Sequence, residues 1–156
     1  MELKFQHALL AVGAFLATLG IAFAIANSVQ PGAISAAEPV EALSLGLSSA
    51  FFAFFAGVLI GVGIALVANG LSFTLRGNAK HVALSLALAL LSVAAAFLSV
   101  SDAKGATFFS LLVFFSGLAA AAVFALSSLV FGILWLMHAQ LKHHGKPKAQ
   151  DSAKAR

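Results

Sequence analysis

The residue types best suited to chemistry in this chain are its five histidines, and His7, His81 and His138 each lie where an apolar run begins or ends. Imidazole nitrogens bind metal ions and haem iron, so a paired His7 and His81 would form a bis-imidazole site. Alternatively, each ring anchors a helix end at the headgroup level, as Trp135 would do nearby. The chain has no cysteine, and neither H-E-x-x-H nor a cluster of carboxylates accompanies the histidines. We therefore favour anchoring, predict no metal site, and keep haem or pigment binding as an alternative.

The helices that carry these histidines are predicted from hydropathy. The chain is 62% hydrophobic and 9% charged, whereas a soluble domain carries about 25% charged residues. About 20 apolar residues cross a hydrocarbon core of about 30 Å as a helix, and only helices or closed barrels satisfy their backbone there. Four uncharged runs reach that length: Ala8–Ala26, Ala42–Leu75, Val82–Val100 and Ala106–Met137.

These runs predict an all-α membrane protein with one four-helix transmembrane domain over residues 1–141. The expected spans are about 7–27, 44–70, 80–100 and 106–138, with Ser44 as a cap of the second helix. The fourth run is too long for one untilted crossing, so a bend is expected at Ser116–Gly117 or Ser127–Ser128. The polar segment 142–156 is predicted to be a basic, disordered tail.

Charges in the loops predict the orientation, because cytoplasmic loops are enriched in Lys and Arg. The first loop holds Glu38 and Glu41 without a basic residue, whereas the second holds Arg76 and Lys80 without an acidic one. The tail carries five basic residues and one acidic residue, Asp151. A multi-pass protein of the cell (inner) membrane with both termini cytoplasmic is therefore expected.

Small residues recur at spacings of four and three along every predicted helix. Such seams let neighbouring backbones approach closely, and a period near 3.5 favours a left-handed bundle. Chance in an alanine-rich chain is one alternative, and a right-handed dimer contact at Gly57-x-x-x-Gly61 is another. The candidate helix-packing residues are Gly13, Ala17, Gly20, Gly57, Gly61, Ser85, Ser92, Gly117 and Gly132.

The two halves of the sequence resemble each other. His7–Asn27 can be laid on His81–Ser101, and Phe54–Gly57 can be laid on Phe114–Gly117. Both predicted hairpins start on the same side, so a duplication would give two parallel hairpin repeats related by an axis along the membrane normal. In this composition, chance matches of Ala, Leu and Phe are the alternative.

The expected partners are the lipid bilayer and other membrane helices. Lys142, Lys146 and Lys148 in the tail are predicted to bind anionic lipid headgroups, at about 1 kcal/mol per basic residue. The tail is too short and too poor in aromatic residues for nucleic-acid recognition. No charged residue lies in the middle of a predicted span, which argues against a proton-coupled transporter or a pump.

Function is expected to come from association, since no catalytic set of residues is evident. The leading hypothesis is a non-catalytic membrane subunit that packs within a homo-oligomer or a larger complex. A small-solute or ion pore of the holin kind is the first alternative. A haem, pigment or lipophile-binding protein that uses His7, His81 and His138 is the second.

The predicted topology can be tested with single cysteines, because the chain has none of its own. Ser35→Cys and Asn78→Cys should react with a membrane-impermeant thiol reagent from opposite sides of the membrane. Labelling of both positions from the same side would contradict the four-span topology.

Overall fold

The computed structural model describes residues 2–28, 38–72, 78–101 and 107–144, and these form four α-helices. The helices are α1 (Glu2–Ala26), α2 (Pro39–Ser72), α3 (Asn78–Val100) and α4 (Phe108–His144). All four are long and apolar enough to span a membrane, which confirms the prediction of an all-helical chain with four candidate spans. Arg76, the third loop at 102–106 and the tail lysines Lys146 and Lys148 lie outside the described residues.

The second helix begins at Pro39, five residues before the expected cap. Proline suits the first position of a helix, because its missing N–H has no partner there and its φ is already helical. The N–H of Ala42 donates to the carbonyl oxygen of Glu38 at 2.7 Å, which closes the first turn. The Ser44 hydroxyl instead donates to the Glu41 carbonyl at 2.9 Å. The expected cap at Ser44 is therefore wrong.

The fourth helix begins with a reciprocal cap between Thr107 and Ser110. The Ser110 N–H donates to the Thr107 hydroxyl at 3.2 Å, and the Thr107 N–H donates to the Ser110 hydroxyl at 2.8 Å. This is the geometry of a capping box, with Ser in the place of Glu. From there α4 runs for 37 residues without interruption and includes Lys142 in its last turn. Its length of about 55 Å exceeds the hydrocarbon core by almost a factor of two.

The four helices form an open row in the order α1, α2, α4, α3. Close packing joins α1 to α2, α2 to α4, and α4 to α3. Each of the edge helices, α1 and α3, thus has one close neighbour, whereas α2 and α4 have two. The most apolar part of α2 is 33% buried, against 17% for each of the other three helices.

Side-chain contacts give the direction of each pair. Gly70 faces Leu10, and Gly20 faces Ile60, so α1 and α2 are antiparallel. The Ser99 hydroxyl donates to the Ser110 carbonyl at 3.1 Å. Because the ring of His81 stacks on that of Phe131, α3 and α4 are also antiparallel.

It follows that α1 and α3 begin at one end of the bundle, where α2 and α4 end. Lys4 and Lys80 lie at this end, which we call the basic end. Glu38 and Glu41 lie at the opposite, acidic end.

The helices meet at positions where a side chain would not fit. A Cβ on Gly63 would lie 2.5 Å from the backbone nitrogen of Ala17, and one on Gly57 would lie 2.8 Å from the Cβ of Phe115. A Cβ on Gly61 would collide with the carbonyl oxygen of Ser116. These pairs of helices therefore touch backbone to backbone.

The buried core consists mainly of alanine. One cluster joins Ala24, Ala53, Ala56 and Phe108 near the acidic end, and a second joins Ala65, Ala89, Ala120 and Phe124. Most Leu, Ile, Val and Phe side chains lie on the outside of the bundle. Small residues inside and large apolar residues outside suit a bundle whose surroundings are lipid.

Alanine substitution at two glycines of α2 should separate close packing from composition. Gly61→Ala places a methyl group against the Ser116 backbone, so we expect the free energy of unfolding to fall by about 1–3 kcal/mol. Gly46→Ala is the control, because nothing lies within 4 Å of the added Cβ. It should leave stability unchanged or raise it by about 0.5–1 kcal/mol through helix propensity. Unfolding in bicelles measures both, and equal shifts would contradict the packing.

Candidate functional site

The three candidate histidine ligands lie in different environments. His7 on α1 and His138 on α4 are exposed, whereas His81 on α3 is 5% exposed. The His81 ring is stacked on Phe131 at a centroid distance of 5.1 Å and an interplanar angle of 17°. His81 thus packs into the α3–α4 interface, while the other two have the exposure expected of helix-end anchors.

His7 and His81 also lie on two helices that are not close neighbours. His7 lies on α1 and His81 on α3, and these two helices are the opposite edges of the row. The described residues contain no group of three His, Asp or Glu side chains that could hold a metal ion. The alternative of a bis-imidazole site would thus require contact between two helices that do not pack closely.

Polar side chains within the helices bond mainly to nearby carbonyls. The Thr18 hydroxyl donates to the Ala14 carbonyl at 2.8 Å, and the Ser72 hydroxyl donates to the Asn69 carbonyl at 2.8 Å. The Asn69 amide nitrogen donates to the Ala65 carbonyl at 2.9 Å. Such bonds satisfy a polar group locally in a low-dielectric surrounding. The bond between Ser99 and Ser110 is different, because it joins α3 to α4.

The candidate helix-packing residues divide by their neighbours. Gly13, Ala17 and Gly20 of α1 face α2, and Gly57 and Gly61 of α2 face α4. Ser92 of α3 contacts Gly117 of α4. Ser85 is buried on α3, whereas the Cβ position of Gly132 has nothing within 4 Å.

Sequence reasoning missed Gly63 and Gly70, which form a second small face on α2. Both glycines face α1, at Ala17 and Leu10 respectively. The signal was present, because a spacing of two residues between Gly61 and Gly63 puts them on different sides of a helix. Two small faces indicate a helix with two close neighbours, and α2 has that position.

An apolar groove lies at the basic end between α1, α2 and α4. Its volume is about 470 Å³. Phe5 and Leu9 of α1 form one wall, Leu66 and Asn69 of α2 form the floor, and six residues of α4 between Val123 and Leu134 form the other wall. Apart from Asn69 and Ser127, all lining side chains are apolar. This size and composition lie in the range of ligand pockets, which is about 300–1,000 Å³.

Comparison with known proteins adds no family to this description. No protein-family model, characterised protein or solved structure matches the chain. Functional inference therefore rests on the geometry of the helices, the histidines and the groove.

The role of His81 can be tested by replacing its ring. His81→Phe should keep the stack on Phe131 and lower stability less than His81→Ala does. His81→Ala should lower the free energy of unfolding by about 2–3 kcal/mol, as expected when a buried ring is removed. His7→Ala is the control, and as an exposed site it should change stability by less than about 0.5 kcal/mol.

The absorption spectrum of the same preparations tests the cofactor alternative. Packing and anchoring predict no Soret band in the wild-type protein purified from haem-replete cells. A Soret band that disappears in both His7→Ala and His81→Ala would instead establish a bis-imidazole haem.

Proposed function

We propose that the chain is a non-catalytic integral membrane subunit that packs within a homo-oligomer or a larger membrane complex. The observation that carries this proposal is an exposed, alanine-rich face on α3 that no other described helix covers. Ala83, Ala87 and Ala94 are exposed, and their spacings of four and seven place them on one side of the helix, together with the exposed Leu90. The opposite side of α3 carries Ser85, Ala89 and Ala96 and is buried.

The surroundings of α2 indicate what this face of α3 would contact. The two small faces of α2 are each covered by a helix, α1 on one side and α4 on the other. The edge helix α3 likewise has a second, alanine-rich face, but α4 is its one close neighbour. Close packing of helix backbones is a main source of association between helices in lipid. We infer that the second face of α3 meets a helix of another chain.

Neither alternative function has comparable support. A pore requires polar groups that face a common path, whereas Thr18, Ser72 and Asn69 bond to carbonyls of their own helices. A haem site requires His7 and His81 to approach each other, and the two helices that carry them are not close neighbours. Catalysis needs two or more polar groups within hydrogen-bond reach of a substrate. The proposal therefore assigns the chain no reaction of its own.

We also propose that the protein lies in the cell (inner) membrane with both termini in the cytoplasm. Lys4 and Lys80 are at one end of the bundle, and Glu38 and Glu41 are at the other. This asymmetry supports a basic end that faces the cytoplasm. Spacings of four and three in the seams support a left-handed bundle.

The finer proposal for the fold is a pair of parallel hairpin repeats, α1–α2 and α3–α4. Gly20 of α1 packs against Ile60 of α2. Ser92 of α3 packs in the same way against Gly117 of α4. Each hairpin is thus an antiparallel helix pair with a glycine at a close contact, which supports the proposal of two similar units. Gly57 faces α4 whereas Gly117 faces α3, so those two glycines have different surroundings.

The test of association uses a larger side chain on the uncovered face of α3. Chemical crosslinking in native membranes should trap a specific species of higher mass in the wild type. Ala87→Leu should reduce that species several-fold, because the added side chain holds the partner helix away. Ala95→Leu is the matched control, since Ala95 is exposed on α3 but lies outside the face that Ala83, Ala87 and Ala94 form.

Two outcomes would contradict the proposal. One is a wild-type protein that crosslinks to nothing and remains a monomer in mild detergent. The other is an equal effect of Ala87→Leu and Ala95→Leu on crosslinking, which would mean that the uncovered face of α3 is not an interface. Ala87→Cys adds a direct readout, because oxidation to a disulfide-linked dimer identifies a second copy of the chain as the partner.

A further inference from the structure

The groove at the basic end lies over α2, between α1 and α4. Leu66 and Asn69 of α2 form its floor, Phe5 of α1 forms one wall, and Val123 belongs to the wall on α4. Toward the acidic end, at Gly57 and Gly61, α2 and α4 touch through their backbones. The space is thus bounded by three helices.

The length of the groove matches one leaflet of a bilayer. Its lining on α4 runs from Val123 to Leu134, which is about 16 Å along a helix axis. Half of a hydrocarbon core of about 30 Å is about 15 Å, the depth that one lipid acyl chain fills. An extended chain inserted from the basic end would therefore follow the groove to the level of Val123.

An acyl chain suits this apolar lining. An extended hydrocarbon chain is thin and needs no hydrogen-bond partners. The wall of Leu, Val and Phe side chains provides the apolar contacts it requires.

The rim of the groove has the charge that suits a phosphate. Lys4 directly precedes the lining residue Phe5 and is exposed. His138 is exposed one helical turn beyond the lining residue Leu134, on the same side of α4. Glu38 and Glu41 lie at the other end of the bundle, whereas Glu2 starts α1 at this end. A phosphate at this rim would meet the donors of Lys4 and His138.

We propose that this groove binds one acyl chain of an anionic phospholipid, whose phosphate lies at the rim beside Lys4 and His138. The lipid comes from the leaflet at the basic end, and its acyl chain fills the groove. This site is separate from the exposed face of α3, because no residue of α3 lines the groove.

Native mass spectrometry of the purified full chain tests the proposal with phosphatidylglycerol and phosphatidylcholine of identical acyl chains. The wild type should retain one phosphatidylglycerol per chain more tightly than phosphatidylcholine. Leu66→Trp fills the groove and should weaken this binding at least about tenfold. Ser127→Leu is a second variant that fills the groove. Ile64→Trp is the matched control, because Ile64 is exposed on α2 outside the groove. It should bind as the wild type does.

The rim is tested separately from the groove. Lys4→Gln should weaken phosphatidylglycerol binding about fivefold, which corresponds to about 1 kcal/mol for one basic residue. Binding of phosphatidylcholine should change little. Circular dichroism and size-exclusion chromatography establish that each variant is folded.

Three results would overturn the proposal. Equal retention of the two lipids by the wild type would remove the anionic preference. Lipid binding by folded Leu66→Trp and Ser127→Leu at wild-type strength would place the lipid elsewhere. Loss of a crosslinked dimer in these variants, with lipid binding intact, would show that a second copy of the chain occupies the groove.

Discussion

The architecture depends on the close approach of helix backbones through small residues. In lipid, a leucine gains little by moving from the bilayer to a protein interface, so apolar area alone does not hold helices together. Van der Waals contact between backbones remains, and it falls off steeply with distance. The contacts of Gly61 with Ser116 and of Gly63 with Ala17 supply it here. Alanine fills most of the remaining core, and the large side chains lie outside, where lipid solvates them.

The same constraint limits where two helices can touch. A helix pair stays close only as far as its small residues continue, because each larger side chain pushes the axes apart. Between α2 and α4, Gly57 and Gly61 make this contact, and Ala65 and Ala120 extend the buried core toward the basic end. Beside this contact, the side chains that line the groove are mainly Leu, Val and Phe, so its walls are apolar. A lipid acyl chain has the chemistry that fits such walls.

Hydropathy was enough to predict four helices, since length and lack of charge decide whether a segment can cross a bilayer. The ends of the helices were harder to predict. Proline at the first position extends α2 back to Pro39, although Glu38–Pro39 is also typical of a loop. The partner of each seam was not predictable, because all four helices carry small residues at the same period and any pair would fit. His81 shows the consequence. His7 and His81 occupy similar places in the sequence, yet His81 is buried because α4 continues past Phe131 and covers it, whereas His7 remains exposed.

The row of helices keeps the two proposed binding surfaces apart. The uncovered alanine-rich face belongs to α3, at one edge, whereas the groove is lined by α1, α2 and α4. A partner that packs on Ala83 and Ala87 would thus leave the mouth of the groove open to the leaflet. Conversely, a lipid in the groove would contact α4, and α4 is the helix that supports α3. Lipid binding would therefore influence association through the position of α4 and not through competition for one surface.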